Sequence, residues 1–417
     1  MASHAISTMP TQQKTAVKAG GTTLTLPHDQ ALTPPQQHEA YKLIASQSSP
    51  ANAWGGATPI QFNISASDAE IIQNNGVWLR LDVGGATATG STYVRFCNDA
   101  SFWLDKADLT SAGSSDPAWS ATNLGLTTYI QNLLHNTTEQ KTLVFRGTGN
   151  GTDGNRATAT AAGGTYFLPI NLPLSALRAG FDNSTASGWV LRIFLQSLAN
   201  VIQTDGTSPS CTINGANLVL SSMMIDQAAA KATSNSLARS RPLHYRYVQP
   251  VSQSGIPLAS GSTVYSQVLT AFSGMSLSHM VVVIRANSSV ATSLGNAPDS
   301  FVACDHLDLK RSDGTFITSN SLPAAWLLSG ALLNKISGDI GDLRTSGPKA
   351  VYVISFGSSP ESAVKFGQVS GYVQMSGSEV LTIGFASSLG SNSVVDVIGY
   401  SLQTWQASPS GTVSRVA

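Results

Sequence analysis

Hydrophobic and polar residues alternate along much of the chain, and this alternation predicts strands. The clearest run is 77–83, where apolar residues at every second position are separated by Trp78, Arg80 and Asp82. Residues two apart lie on the same face of a strand, so the run predicts a strand with one buried face. Further strand candidates are 93–96, 143–145, 166–170, 190–195 and 218–225 in the first half, and 264–272, 280–285, 301–309, 351–356, 371–375, 380–385 and 394–402 in the second.

Two segments carry apolar residues at helical spacing instead. In 117–137 the spaced residues are Trp119, Leu126, Ile130, Leu133 and Leu134, and in 323–337 they are Leu328, Leu332 and Ile336. Residues three and four apart line one face of a helix. The sequence therefore predicts one short helix in each half of a chain that otherwise consists of strands.

The two halves also repeat one another. Cys97 precedes Trp119 by the same interval that separates Cys304 from Trp326. A Tyr-Phe-Leu run at 166–168 is followed by Ser-Gly at 187–188, and Tyr-Val-Ile at 352–354 is followed by Ser-Gly at 376–377. This echo predicts a duplicated β-module with the same element order.

The chain divides into five parts on this interpretation. Prolines at 34 and 35 precede apolar residues at helical spacing in 36–47, which predicts a short amphipathic helix that docks on its own module or on a neighbour. Deletion of 1–45 should therefore leave both modules folded and impair higher assembly. The parts are an N-terminal arm at 1–57, a first module at 58–226, a connector at 227–256, a second module at 257–405 and a polar tail at 406–417.

Composition supports an all-β protein with many loops. Hydrophobic residues make up 42% of the chain and charged residues only 11%, with 37 Gly and 18 Pro for turns. Few surface charges suit dense packing against neighbours. The 23 basic and 23 acidic residues cancel, so the chain has no dense basic patch for nucleic acid, and we expect no sequence-specific nucleic-acid partner. A small basic cluster is interpreted as a solvated linker; its members are Lys231, Arg239, Arg241, His244 and Arg246.

Cysteine usage and the N-terminal sequence favour a cytosolic folding environment. The three cysteines, Cys97, Cys211 and Cys304, are an odd count, which indicates reduced thiols. The sequence opens with polar residues and no apolar signal region. The apolar run 280–284 is of strand length and far shorter than the ~20 residues of a membrane span.

Few residues suggest chemistry. Asp305, His306 and Asp308 could ligate a metal, but no second His or Cys cluster stands nearby, and a strand with an exposed polar face is the favoured interpretation. The Gly-rich stretch 147–164 lacks the residues of a phosphate or calcium loop and is interpreted as an exposed loop, as is 287–299. We expect no catalytic residue, no cofactor and no metal site. A glycosidase needs two positioned carboxylates, and the sequence cannot pair Glu139, Asp182 and Glu379.

Three tryptophans leave an alternative open. Trp78, Trp103 and Trp189 could line a sugar-binding face, or they could pack in a core or between subunits, which is the favoured interpretation. The alternative function is a β-sandwich that binds a carbohydrate or receptor as part of a virion or spike.

Two tandem β-modules, each with one helix late in the strand order, resemble the double jelly-roll major capsid proteins of tailless membrane-containing bacteriophages, adenovirus, virophages and large eukaryotic DNA viruses. The resemblance covers about residues 58–405 and rests on element order. It implies an all-β fold of two eight-stranded jelly-roll sandwiches, each with a short helix between the sixth and seventh strands. Here those helices match 117–137, before 143–145, and 323–337, before 351–353.

The same resemblance implies a function. It implies a major capsid protein of a double-stranded DNA virus, which forms homotrimeric pseudo-hexameric capsomers of an icosahedral shell and is not an enzyme. The implied partners are further copies of the chain, penton or minor capsid proteins, and an internal membrane reached through the arm. The implied location is the virion, after assembly in the host cytoplasm.

Overall fold

The computed structural model describes most of the 417 residues. The described residues are 17–19, 22–24, 38–66, 70–96, 99–135, 163–175, 180–224, 243–286, 301–318, 322–323, 350–357, 370–408 and 411–416.

The described part of the first half consists of strands, one long helix and several short turns. Helix α1 spans Leu124–His135, and the single-turn helix α2 spans Leu198–Val201. Turns of 3-10 helix lie at Ala100–Trp103, Pro173–Ser175 and Asn183–Thr185. The strands are β1 (Val17–Ala19), β2 (Thr22–Leu24), β3 (His38–Ala45), β4 (Ile60–Ile64), β5 (Glu70–Val83), β6 (Thr87–Thr89), β7 (Val94–Phe96), β8 (Leu104–Ser111), β9 (Trp119–Thr122), β10 (Gly164–Pro169), β11 (Phe181–Asp182), β12 (Trp189–Leu195), β13 (Ile202–Thr204), β14 (Thr207–Ser210) and β15 (Ile213–Met224).

The described part of the second half consists of strands and one 3-10 turn, at Thr270–Phe272. The strands are β16 (Leu243–Leu258), β17 (Val264–Val268), β18 (Ser276–Ala286), β19 (His306–Lys310), β20 (Leu322–Pro323), β21 (Val351–Ser355), β22 (Val373–Gln374), β23 (Val380–Gly384), β24 (Ser393–Ala407) and β25 (Val413–Val416).

Four main sheets, all with antiparallel pairing, organise these strands. Sheet 1A has the order β10–β5–β15–β3, with β11 beside β5, and sheet 1B has the order β4–β12–β8–β9. Sheet 2A has the order β16–β24–β18–β21, with β22 beside β18 and β25 beside β24, and sheet 2B has the order β17–β23–β19–β20. The pairs β1–β2, β6–β14 and β7–β13 form small separate ribbons.

The two modules have the same strand order. When the eight main strands of each module are numbered along the chain, sheets 1A and 2A both read 1-8-3-6, and sheets 1B and 2B both read 2-7-4-5. This interleaving of early and late strands across two sheets is the jelly roll. The predicted duplication is therefore confirmed, and the matched runs at 166–168 and 352–354 lie in equivalent strands, β10 and β21.

The core of each module lies between its two sheets. Along β12, Trp189, Leu191 and Ile193 are fully buried while the residues between them are not. Strand β5 contributes Leu79 and Leu81 from the opposite sheet in the same way. The strand period of two thus places one apolar row per strand in the core, which is the pattern that the sequence predicted for 77–83.

The helix of the first module is confirmed in existence and corrected in extent. Residues 117–123, predicted to begin it, contain β9, in which Trp119 and Ala121 are buried and the alternate residues exposed. Pairing of Trp119 with Leu109 of β8 supplies backbone hydrogen bonds that a helix would otherwise provide. Among the described main strands, α1 follows the fifth and precedes the sixth, rather than lying between the sixth and seventh.

The helix predicted in the arm at 36–47 is wrong, because this segment forms β3. Strand β3 pairs with β15 over its whole length, from His38 opposite Met224 to Ala45 opposite Asn217. Its apolar residues at 40, 41, 43 and 44 fit both a helical and a strand period. The edge of sheet 1A decides between them, since pairing there completes the backbone hydrogen bonds of β15. The segment does dock on its own module, as a strand.

Several strands lie where the sequence predicted none. Strands β4 and β8 have mixed polar sequences and were not predicted, and β16 lies largely within the predicted connector. Strand β25 lies in the predicted polar tail. His244 and Arg246 of the predicted basic linker are exposed residues of β16.

Other predictions fall outside the described residues. They are the strand at 143–145, all but the last two residues of the loop at 147–164, the loop at 287–299, all but the first residue of the helix at 323–337, Cys97, Glu139, Trp326, and the basic residues Lys231, Arg239 and Arg241. The described residues Gly164 and Pro323 belong to strands β10 and β20 instead.

Candidate assembly surfaces

An aromatic cluster joins the two modules. Trp405 of β24 stacks on Trp189 of β12, with ring centroids 5.2 Å apart and planes 26° from parallel. Phe181 lies 5.2 Å from Tyr245 of β16, again between ring centroids. The indole Nε1 of Trp405 donates to the carbonyl of Ala118 at 2.9 Å, so this buried donor is paired. The modules are therefore packed against each other over an apolar contact that excludes water.

A polar seam continues this contact along β9 and β16. The Asn123 amide donates to the Ser254 hydroxyl at 2.8 Å, and the hydroxyls of Thr122 and Ser252 lie 3.3 Å apart. The side-chain amide of Gln249 donates to the carbonyl of Ser120. These bonds fix the edge strand of sheet 1B against the edge strand of sheet 2A.

The turn between β24 and β25 lies against the first module. The Ser187 N–H donates to the carbonyl of Gly411 at 2.9 Å, and the Val413 N–H donates to the Ser111 hydroxyl at 3.1 Å. Gly411 has φ +83°, and a Cβ there would lie 3.0 Å from the Ser187 nitrogen, so the position favours glycine. The segment predicted as a polar tail is instead attached to the other module.

Helix α1 is buried on every side. The Tyr129 ring lies 4.9 Å from Phe102 of its own module and 6.4 Å from Phe301 of the second, between centroids. A Cβ on Gly125 would lie 2.6 Å from the Ser101 carbonyl, so the helix approaches the backbone of its own module closely. A helix without an exposed face is enclosed by protein. Helix α1 therefore belongs to the contact between modules as well as to its own core.

Sheet 2A is buried on both faces. Along β18, Met280 and Val282 are buried, and so are the intervening Val281 and Val283. A Cβ on Gly399, the partner of Met280, would meet the Phe272 ring of the same module at 2.8 Å, which identifies that face as the inner one. The opposite, outer face of sheet 2A is therefore covered. Its covered residues are Val281, Val283, Val351, Val353, Ile398 and Tyr400.

Sheet 1A is open on its outer face. Strand β3 alternates between half-buried residues that face the core side and exposed residues, among them Tyr41, 70% exposed, and Leu43, 62% exposed. The register carries this face across the sheet, since Leu43 lies opposite Val219, and Val219 opposite Trp78. Phe167 of β10, 40% exposed, lies opposite Arg80 on the same face. We name this surface, made of Tyr41, Leu43, Trp78, Phe167, Arg80 and Val219, the 1A outer face.

The two described cysteines are shielded thiols. Burial raises the pKa of the Cys211 thiol to about 11 and that of the Cys304 thiol to about 12. Both are unpaired with any other described cysteine. At neutral pH they are protonated and poor nucleophiles.

The residues considered as metal ligands lie on β19 and just before it. The Asp305 carboxylate is 3.4 Å from His306 Nδ1, and Asp308 is buried. No group of three or more candidate ligands occurs within the described part of the chain.

The two described carboxylates considered for catalysis, Asp182 and Glu379, lie in different modules. Glu379 is buried and accepts hydrogen bonds from the Ser376 N–H at 2.8 Å and the Gly377 N–H at 2.9 Å. Burial acts to raise its pKa, but these hydrogen bonds outweigh burial and hold the pKa below the ordinary 4.5. Glu379 therefore stabilises the turn before β23. Asp182 lies on β11 of the other module.

Two of the three tryptophans considered for a sugar-binding face belong to the core. Trp103 and Trp189 are fully buried, and Trp103 packs against Tyr166 with ring centroids 4.6 Å apart. Trp78 is half-buried on the 1A outer face, with its Nε1 donating to the Asn75 carbonyl at 3.0 Å. The alternative interpretation thus keeps one of its three residues.

The described helices were also compared with the length of a membrane span. Within the described ranges, no helix is both long enough and apolar enough to cross a bilayer.

Comparison with known proteins gives matches in structure alone. No protein-family model and no curated protein matches the chain. The Faustovirus major capsid protein is similar in structure, with TM-score 0.62 at 11% identity, covering 89% of this chain and 91% of that one. A chain of the PBCV-1 virus capsid matches with TM-score 0.61 at 14% identity, covering 92% and 98%. A chain of the Sputnik virophage matches with TM-score 0.58 at 11% identity, covering 92% and 89%. Together with the repeated strand order, these similarities identify the fold of this chain as a double jelly roll.

Proposed function

We propose that the chain is a viral major capsid protein that forms homotrimeric, pseudo-hexameric capsomers of an icosahedral shell. The observation that carries the proposal is the repeated strand order, 1-8-3-6 and 2-7-4-5, in two modules of one chain. Three copies of such a chain supply six similar modules, which can occupy a hexagonal position by threefold symmetry. The similar chains from Faustovirus and PBCV-1 come from a major capsid protein and a virus capsid, which supports the same role here.

The contact between the modules supports this role too. A capsomer block has to keep its modules in a fixed relation, and the stacked pair of Trp189 and Trp405 with the seam along β9 and β16 provides that rigidity. Low charge, at 11% of residues, reduces repulsion between copies packed side by side.

The finer parts of the proposal concern boundaries, partners and place. We propose that the arm ends before β3, that the first sandwich runs from β3 to near 226, and that the second runs from β16 to near 405 and is followed by the tail. The partners are neighbouring capsomers, penton or minor capsid proteins, and an internal membrane reached by residues before β3, and assembly takes place in the host cytoplasm. The proposed role requires no sequence-specific nucleic acid and no catalytic, cofactor or metal-binding residue.

Light scattering coupled to size-exclusion chromatography, with negative-stain imaging, tests the proposal. The chain mass is 43.4 kDa, so a homotrimer has a mass of about 130 kDa and a roughly hexagonal outline. A compact monomer at every concentration, together with specific binding to a glycan, would contradict the capsomer and favour a carbohydrate-binding virion protein.

A further inference from the structure

We propose that the 1A outer face is the surface on which a second copy of the chain docks, through its second module. The inference rests on the homotrimer proposed above and adds to it which strands meet between copies. It follows from the contact already made within one chain.

The contact within one chain shows what covers the equivalent sheet. Sheet 2A corresponds to sheet 1A strand by strand, and its outer face is buried. The first module touches it at both margins. Strand β9 and Asn123 bond to β16 at one margin, and Tyr129 of α1 meets Phe301 at the other. Phe301 bridges to Arg285 at the end of β18, beside β21.

The same contact can be repeated between copies. In a ring of six modules, each module presents the sheet A outer face to one neighbour and the edge containing its fifth strand to the other. Within one chain, the first module presents β9 and the second presents sheet 2A. Between chains, the second module therefore presents the edge that contains β20, the counterpart of β9, and the first module presents sheet 1A.

The exposed apolar residues favour this occupant. Tyr41 and Leu43 are the most exposed large hydrophobic residues among those described, and Phe167 lies on the same face. The corresponding outer face of sheet 2A is covered and largely apolar, with His279 and Asp396 among its buried residues. Large contiguous apolar surface left open on a folded chain marks a contact with another protein.

The edge of sheet 1A also fits a protein contact. Among the described strands β3 lies at the edge of sheet 1A and pairs on one side, with β15, and it carries no proline within His38–Ala45. The polar side chains on this face are held by internal bonds, since Tyr41 donates to Glu39 at 2.8 Å and Arg80 pairs with Asp82 at 3.2 Å. Such an edge is open to a neighbouring chain, as β16 is to β9.

Leu43→Asp tests the docking surface directly. Leu43 is exposed in the single chain, so the variant should fold normally, but a carboxylate at the centre of an apolar contact should weaken trimerisation about 100-fold or more. Light scattering over a dilution series should show a monomer at concentrations where the unchanged chain is a trimer. Phe167→Asp, on a different strand of the same face, should act in the same direction.

Val264→Asp is the matched control. Val264 is 59% exposed and lies on β17, the edge of sheet 2B opposite to β20, so it is apolar and accessible but away from the proposed contact. The control should remain a trimer. Circular dichroism and thermal melting at low concentration establish that all three variants fold.

The outcomes separate the two proposals. If the unchanged chain never trimerises, the proposed function itself fails. Suppose that the unchanged chain trimerises. If Leu43→Asp and Phe167→Asp trimerise equally well, the proposed function stands and the docking surface is wrong. The same conclusion follows if Val264→Asp dissociates as much as those two variants. A chain lacking residues 1–37 tests whether the N-terminal arm of the same chain, and not a second copy, covers the 1A outer face. If the arm covers the face, that deletion should increase the exposure of 38–45 to hydrogen exchange in the Leu43→Asp monomer, and such an increase contradicts docking by a second copy.

Discussion

Sheets 1A and 2A have the same strand order but different surroundings. In sheet 2A both faces of β18 are buried, and the covered outer face carries valines, Ile398 and Tyr400 beside His279 and the Asp396 carboxylate. In sheet 1A the outer face is half open and mixes Trp78 and Leu43 with Arg80. A face covered from the moment the chain folds can bury a large apolar area together with the ion pair of Arg285 and Asp396. A face that is covered only after copies assemble is exposed to solvent in the single chain, so it needs polar residues to keep that chain soluble. The difference between the outer faces of sheets 1A and 2A reflects this requirement.

Removing β3 should damage sheet 1A most. Deletion of 1–45 takes away the eight residue pairs between β3 and β15 and the 3.8 Å ion pair of Lys42 with buried Glu70, so we expect a loss on the order of 5 kcal/mol in unfolding free energy. The sequence alone predicts instead that both modules stay folded after that deletion, so the experiment decides between the two predictions. Deletion of 1–37 is the control, because β1 and β2 pair only with one another. Urea denaturation of both truncated chains measures the difference, and equal stabilities would contradict a structural role for β3.

Trp405→Ala should destabilise the contact between the two modules and lower the unfolding free energy by about 3–4 kcal/mol. The substitution removes a fully buried ring that stacks on Trp189 and leaves the Ala118 carbonyl without its donor. Trp78→Ala, on the half-open 1A outer face, should cost about 1 kcal/mol. Both belong in the Leu43→Asp background, so that urea denaturation reports the single chain alone. If Trp78→Ala lowers the unfolding free energy more than Trp405→Ala does, the contact between modules is not more deeply buried than the 1A outer face.

Glu379→Gln should lower the unfolding free energy less than Trp405→Ala does, by about 1–2 kcal/mol at neutral pH. Since the pKa of Glu379 is lowered on folding, its contribution is present above the ordinary pKa of 4.5 and is lost as pH falls through the lower folded value. Between pH 6 and pH 3 the unchanged chain should lose more stability than the Gln variant.

The equivalent turn of the first module supplies the control for this pH dependence. Ser187 and Gly188 precede β12 as Ser376 and Gly377 precede β23, but the first turn is bonded to the Gly411 carbonyl and not to a carboxylate. Ser187→Ala should therefore change stability equally at both pH values. The same pH difference in both variants would contradict the role given to Glu379.

Much of the fold could be predicted from the sequence because strand period and duplication leave a clear pattern. Strands such as 77–83 have one apolar row, and the matched runs before β12 and β23 revealed the repeat. Strands β8 and β16 were missed because polar residues interrupt their apolar rows. Segment 38–45 was misassigned because its spacing fits two periods, and only the open edge of β15 selects the strand.

The assembly surface could be predicted only in part. An amino-terminal segment that docks on a module was expected, but its exposed face depends on register, which places Leu43 in line with Val219 and Trp78. The stack of Trp189 and Trp405 joins residues from different modules, and no local pattern carries that information. The alternation of apolar and polar residues predicts which residues share a face of a strand. Whether both faces of a sheet are buried depends on which module or chain packs against it.

Because β24 and β25 attach to the first module, the first module cannot complete its contacts until the end of the chain has been synthesised. Trp405 is made 287 residues after Ala118, whose carbonyl it caps, which at ribosomal speed is roughly 15–60 s. During that interval Trp189 and Phe181 of the nascent first module have no aromatic partner from the second. The aromatic cluster of the first module can therefore be completed only when the end of β24 has left the ribosome. A chain interrupted before that point exposes the apolar surface around Trp189 and Phe181, and we expect it to depend on chaperones more than the finished chain does.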